Sequence, residues 1–218
     1  MNNNINHAAK SRRRRAALLM LALCWLLSTD VLAARWYHVE VIVFKQNQQE
    51  FEGGEEWSNE QSVPNFATAI DLSASIQSDE PISGIAPLSA GAYYLAGVYE
   101  RLAASSRYEP LLHRAWAQPG YSANNVRQVY LSTDSNSLND SFAPAGDIVQ
   151  VKEVIEGTIG LQGGRLLHVK TNFVLRNDEL VTDISEFRKI KLKQLHYFDH
   201  PLFGLLVRVT PFKRPASE

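Results

Sequence analysis

From residue 35 onward, apolar side chains recur mostly at every second position, and the chain reads as a succession of strands. Over residues 36–44, Tyr37, Val39, Val41 and Val43 share one face. The other carries His38 and Glu40 among Trp36, Ile42 and Phe44, which predicts a strand with one buried face and one half-wet face. Further strands are predicted at 111–118, 126–131, 148–159, 166–176, 182–192 and 204–212. In 166–176, Leu167, Val169, Thr171, Phe173 and Leu175 alternate with His168, Lys170, Asn172 and Arg176, so one side is buried and one is wet. Gly160, Gly163 and Gly164 mark one hairpin turn and Asn177-Asp178 another. One helix interrupts the series: Ser89 follows Pro87 as its N-cap, Leu95, Val98 and Leu102 form its apolar face, and Tyr108-Glu-Pro110 ends it. Strands joined in sequence by short turns imply an antiparallel β-sheet packed by one main helix on its inner face. The predicted fold class is α+β.

Two segments break the alternation. In residues 1–34, Lys10 and Arg12 to Arg15 precede an apolar stretch from Ala16 to Leu27, and Val31-Leu-Ala33 or Leu32-Ala-Ala34 supplies small residues for cleavage. That is the form of a secretory signal peptide, and its apolar run is shorter than the ~20 residues a membrane span needs. Cys24 lies inside the apolar run behind Leu23, where a lipoprotein would need a small residue, so no acylation is expected. Cleavage then removes the only cysteine, which excludes disulfides, thiolate metal sites and cysteine nucleophiles from residues 35–218. The second segment, residues 46–84, carries eight acidic residues and no basic one, and is expected to be a long flexible acidic loop with a short helical piece near 66–72. The rest, 35–218, is expected to form a single domain.

Cleavage also changes the charge, leaving 17 basic against 22 acidic residues. A net acidic chain is a poor nucleic-acid binder on electrostatic grounds. Residues 149–218 run the other way, with 11 basic against 8 acidic, so an anionic partner belongs there.

The densest chemistry lies in His196-Tyr-Phe-Asp-His-Pro-Leu-Phe-Gly204. Read as a metal site, His196 and His200 would face one ion from adjacent helical turns, giving a small periplasmic metal-dependent hydrolase. Pro201 disfavours helix at His200, however, and the flanking period is two residues rather than 3.6. The preferred reading is a structural turn. In it, Asp199 and the imidazoles of His196 and His200 satisfy backbone groups, Pro201 and Gly204 fix the chain, and Phe203 enters the core. No metal and no other cofactor is expected.

Two clusters are candidates for binding. Arg114, Trp116 and Gln118 share a strand face and form a possible sugar platform, since an indole offers a broad apolar surface with a donor at its edge; Trp116 could equally be a core residue. Lys189, Lys191 and Lys193 alternate with Ile190 and Leu192. They form either a basic face for an anionic polymer or the lysine guard of an edge strand. None of the familiar catalytic signatures is present: no G-x-S-x-G, no H-E-x-x-H and no patterned pair of carboxylates.

Several of these stretches together resemble a known family. Trp36-Tyr-x-Val-Glu-x-Ile-x-Phe44, Glu55-Glu-Trp57, Leu111-Leu-His-x-x-Trp-x-Gln-Pro119, Arg165-Leu-Leu-His168 and His196-Tyr-x-Asp-His-Pro-Leu-Phe-Gly204 are similar to the CsiV family of periplasmic peptidoglycan-binding proteins. The resemblance implies a non-enzymatic cell-wall protein in the periplasm, enriched at the division site and not inserted in the membrane. It also implies partnership with an outer-membrane lipoprotein, LpoA, that activates a class A penicillin-binding protein. It supplies no residue-level map of the binding surface.

Overall fold

The computed structural model describes residues 35–47, 66–72, 84–134, 153–177 and 181–213. The chain divides into two compact units, Met1–Ala34 and Arg35–Glu218, and every described residue belongs to the second. The expected signal peptide and most of the acidic segment 46–84 therefore lie outside the described residues.

Ten strands are described: β1 (Trp36–Gln46), β2 (Ile70–Asp71), β3 (Ala86–Pro87), β4 (Tyr108–Pro119), β5 (Gln128–Ser132), β6 (Val154–Gln162), β7 (Leu167–Arg176), β8 (Val181–Ile190), β9 (Leu195–Asp199) and β10 (Phe203–Phe212). They form two five-stranded sheets, β3-β4-β1-β10-β9 and β2-β5-β6-β7-β8. All pairings are antiparallel except β2 with β5. The inward side chains of both sheets meet in one core. Val39, Val41, Val43, Trp116, Leu205 and Val207 come from the first sheet, and Val129, Ile155, Ile159, Val169, Phe173 and Ile184 from the second. This face-to-face packing explains the alternation in β7, whose odd-numbered residues point into the core between the sheets.

The α+β class read from the sequence is what the structure shows, with strands predominating and α1 (Ala96–Ala103) as the α-helix among the described residues. Its position is different from the expected one. The second sheet occupies the inner face of the first, and α1 lies on the outer face, where Leu95, Val98, Tyr99 and Leu102 pack on Ile42, Phe44 and Leu206. That second apolar layer is why β1 is buried on both sides. Where a short helical piece near 66–72 is expected, residues 67–69 make a turn that leads into β2 and Leu72 is helical, while Phe66 packs on Tyr130 and Val174.

The helix also starts later than Ser89, which caps only a short 3₁₀ turn at Ala90–Ala92 and makes no side-chain cap hydrogen bond. The cap comes from across the sheet. Glu40, fully buried on β1, accepts hydrogen bonds from the backbone N–H of Tyr94 (2.9 Å) and Leu95 (2.8 Å). Its Oε1 lies 2.8 Å from His113 Nε2, and His38 Nε2 stands 3.6 Å from Oε2. Burial alone would raise the carboxyl pKa. The hydrogen bonds from His113, Leu95 and Tyr94, with the His38 imidazole close by, outweigh that effect and hold Glu40 at about 2, against an ordinary 4.5. A strand carboxylate thus anchors the N-cap residue Leu95 and the residue before it, tying the start of the helix to the sheet.

Candidate functional site

The row on β4 divides according to burial. Trp116 is 1% exposed and Gln118 is fully buried, because this face of β4 is sealed by the second sheet. The Trp116 indole N–H donates to Gln118 Oε1 at 2.6 Å, so the amide serves the indole rather than a ligand. Arg114, half-buried, donates to the carbonyl of His113. A sugar platform needs an accessible ring, and the pair Trp116/Gln118 is instead core.

The lysines do not share one strand face. β8 ends at Ile190, and residues 191–194 turn the chain from the second sheet to the first. Lys193 adopts a left-handed φ of 63° in that turn and donates its backbone N–H to Val209 O. Only Lys189 projects from β8, while Lys191 and Lys193 sit exposed just beyond it.

His196 and Asp199 lie on β9, an edge strand absent from the sequence reading, and the turn itself is His200 to Leu202. The helix that would align His196 with His200 is therefore not formed. His196 Nε2 is 3.1 Å from both the N and the O of Lys191. His200 is buried; its Nδ1 accepts from Leu202 N–H at 3.1 Å, which leaves the Nε2 proton for Thr182 Oγ1 at 2.8 Å. Asp199 is exposed and takes hydrogen bonds from Tyr197 Oη and Gln46 Nε2. The Tyr197 hydroxyl pKa is pushed up by partial burial and by Asp199. Pro201 stands in the turn, and Gly204 leaves room on β10 for the Phe44 and Tyr197 rings, which an added Cβ would meet at 2.7 Å. Among the described residues, no group of three or more His, Cys, Asp or Glu could hold a metal ion.

A different surface brings binding chemistry together: the outer face of the second sheet. The registers place Gln128, Gly160, Lys170 and Phe187 in one row across β5, β6, β7 and β8, and Gln162, His168 and Lys189 in the next. Phe187 is 59% exposed, and its ring lies parallel to the His168 imidazole at 4.9 Å, with an interplanar angle of 8°. Lys170 and Lys189 flank it, both exposed. Neither row contains a carboxylate; Glu156 and Asp183 lie two rows further along. Arg127, Arg165 and Lys191 are also exposed towards the basic end. Two buried polar atoms here, Gln128 Oε1 and His168 Nδ1, have no hydrogen-bond partner. Such atoms are uncommon and costly in a finished fold, and a bound ligand with donors would satisfy them.

The β5 end of this face opens into a cleft of about 470 Å³ lined by Tyr121, Asn124, Asn125, Val126 and Arg127. The loop that forms it is held down by Gly163 N–H on Tyr121 O at 2.7 Å. Gly120 and Gly163 approach so closely that a Cβ on Gly163 would stand 2.9 Å from Gly120 Cα. Burial raises the Tyr121 pKa, and the Arg127 charge opposes that rise. The phenol is therefore neutral.

The sequence named Lys189 and the wet face of β7, but not Phe187 or the cleft. The signal for Phe187 was a large aromatic at an outward position between charged residues. Finding it required the β7–β8 register, which pairs Lys170 with Phe187; a turn centred at Asn177-Asp178 would have set Lys170 opposite Ser185.

Among the described residues, no helix is long and apolar enough to cross a membrane. No curated protein and no solved structure matches the chain. The family profile described as "Peptidoglycan-binding protein, CsiV" matches residues 16–212, nearly the whole sequence. An exposed aromatic between lysines suits a carboxylate-bearing glycan polymer, and the chain belongs to the CsiV peptidoglycan-binding family.

Proposed function

We propose that the protein binds peptidoglycan through the outer face of its second sheet, without catalysing a reaction on it. The observation that carries this reading is Phe187, exposed, backed by the His168 ring and set between Lys170 and Lys189. An aromatic face packs against the apolar side of a sugar ring, and ammonium groups pair with the carboxylates of the peptide stems. The protein is net acidic after loss of its leader, so attraction to an anionic polymer has to come from this local concentration of cations. Co-sedimentation of the processed protein with purified sacculi tests the reading. Retention is expected to fall as salt rises, because exposed charges are screened over ~8–10 Å at physiological ionic strength. It is also expected to fall on Phe187→Ala. Retention unaffected by either would refute the assignment.

Within the same reading, the leader 1–34 is removed on export, and residues 35–218 act in the periplasm as one domain, concentrated at the division site. There the protein supports the lipoprotein LpoA, activator of a class A penicillin-binding protein. Family membership supports this role, and co-purification of the lipoprotein with the processed chain from solubilised envelopes tests it. Failure to recover the lipoprotein under conditions that preserve sacculus binding would refute the partnership.

A further inference from the structure

We propose that the cleft lined by Tyr121, Asn124, Asn125 and Arg127 anchors the free C-terminal carboxylate of a short acidic peptide lying across the second sheet along the row Gln128, Gly160, Lys170 and Phe187. The proposal rests on the wall-binding reading and deepens it: the protein reads the peptide stem as well as the glycan.

The chemistry of the cleft favours a carboxylate terminus. A guanidinium offers two parallel N–H donors that match a carboxylate, and Arg127 is an exposed basic residue in the wall of the cleft. Asn124 and Asn125 add amide donors and acceptors of the kind that pair with peptide groups. Asn125 is held in place by its side-chain amide on Ser122 Oγ at 3.3 Å and by its backbone N–H on Ser122 O at 2.9 Å. The volume, about 470 Å³, lies within the ordinary range of small-ligand sites.

The cleft is continuous with the row. Val126 lines the cleft and also lies over Gly160, where an ideal Cβ would stand 2.8 Å from Val126 Cγ1 and 2.6 Å from Gln128 Nε2. Glycine at this outward position makes room for the Val126 and Gln128 side chains, which close over it and join the cleft to the row. Beyond it come Lys170 and then Phe187.

Length and polarity agree with a peptide. Crossing from β5 to β8 covers three strand spacings, or about 14 Å. An extended peptide of about four residues spans the same ~14 Å. An occupant whose terminus reaches Arg127 therefore places its other end at Phe187, where the peptide would join the sugar. Arg127, Lys170 and Lys189 supply cations along the way, and the two rows contain no carboxylate. Gln128 Oε1, without a partner, lies beside the path of the peptide and accepts a backbone N–H. A peptide with side-chain and terminal carboxylates meets each of these requirements; a neutral glycan chain leaves the cations idle.

The test titrates the processed protein with three probes: the stem tetrapeptide released from sacculi by amidase digestion, the same tetrapeptide amidated at its C-terminus, and a glycan-only oligomer of N-acetylglucosamine. The free-acid peptide is expected to shift the backbone amide resonances of Asn124, Asn125 and Arg127. C-terminal amidation and Arg127→Gln are each expected to weaken peptide binding about ten-fold, the scale of one charge-assisted contact. Arg127→Gln should leave binding of the glycan oligomer unchanged, whereas Phe187→Ala should weaken it. Both side chains are exposed, so neither variant should fail to fold, and Asn124→Ala gives a second cleft variant with the same expected loss. Equal affinity for free and amidated peptide, or for wild type and Arg127→Gln, overturns the proposal. If the cleft variants bind the peptide normally while Phe187→Ala still releases sacculi, this inference falls and the wall-binding reading stands. If sacculi are not retained by the unaltered protein, both fall.

Discussion

Replacing Glu40 by Gln tests how the one described α-helix is held to the sheet. The carboxylate is fully buried and bonded to two backbone N–H groups at the helix start and to His113. Its pKa falls from 4.5 to about 2 on folding. A depressed carboxyl pKa stabilises the fold above the unfolded value, and that contribution is lost as pH falls through the folded one. A shift of this size corresponds to about 3 kcal/mol at neutral pH. Gln preserves the shape but presents an NH₂ to a site built of donors, and an unmet buried donor costs ~1–3 kcal/mol by itself. Urea denaturation at pH 7 should show a loss of about 3 kcal/mol, equivalent to ~6–12 °C in Tm for a chain of this size. An acid series sharpens the test. The difference between wild type and variant should be full above pH 4.5, shrink as pH falls from there, and be mostly gone near pH 2. A loss below ~0.5 kcal/mol at neutral pH, or a difference constant from pH 6 to 2, would refute the reasoning.

Trp116→Ala should cost ~3–5 kcal/mol in chemical denaturation, the usual range for a large aromatic removed from a core, and a melting temperature near wild type would return the indole to the surface. Asp199→Ala removes an exposed carboxylate and should change stability by no more than ~0.5 kcal/mol. His200→Ala breaks a buried link between Thr182 and the β9–β10 turn, and should cost ~1–3 kcal/mol in the same assay. Equal losses for Asp199→Ala and His200→Ala would contradict the geometry of that turn.

Two-residue periodicity made most strands legible because each has one face in a dry core and one towards water. Leu167 to Arg176 is the clearest case. The pairing of strands into two sheets was not legible, because alternation identifies a buried face without naming what buries it. Thus the inner face of β1 was assigned to the helix, and the second sheet occupies it instead. β9 was missed because Pro201 and the two histidines dominate that stretch, while its pattern, Leu195 and Tyr197 exposed and Phe198 buried, is too short to stand out. The cap of α1 was hidden for another reason: Glu40 lies 54 residues before the Tyr94 amide it binds, and local capping signals do not reach across a sheet. At the candidate site, Lys189 could be named from its own strand. Its neighbours Lys170, His168 and Phe187 come together only through register, and the cleft forms only where the loop at 120–127 meets the β6–β7 turn.

The most direct test of the central claim compares two faces of the same protein on purified sacculi at physiological salt. One variant combines Phe187→Ala, Lys170→Gln and Lys189→Gln on the second sheet. The other combines Tyr94→Ala and Leu195→Ser, which remove exposed apolar side chains beside the first sheet. Both should keep near-native melting curves, since all five side chains are exposed. The account predicts that the first variant stays in the supernatant while the second sediments like wild type. Normal sedimentation of the first, or loss confined to the second, would contradict it.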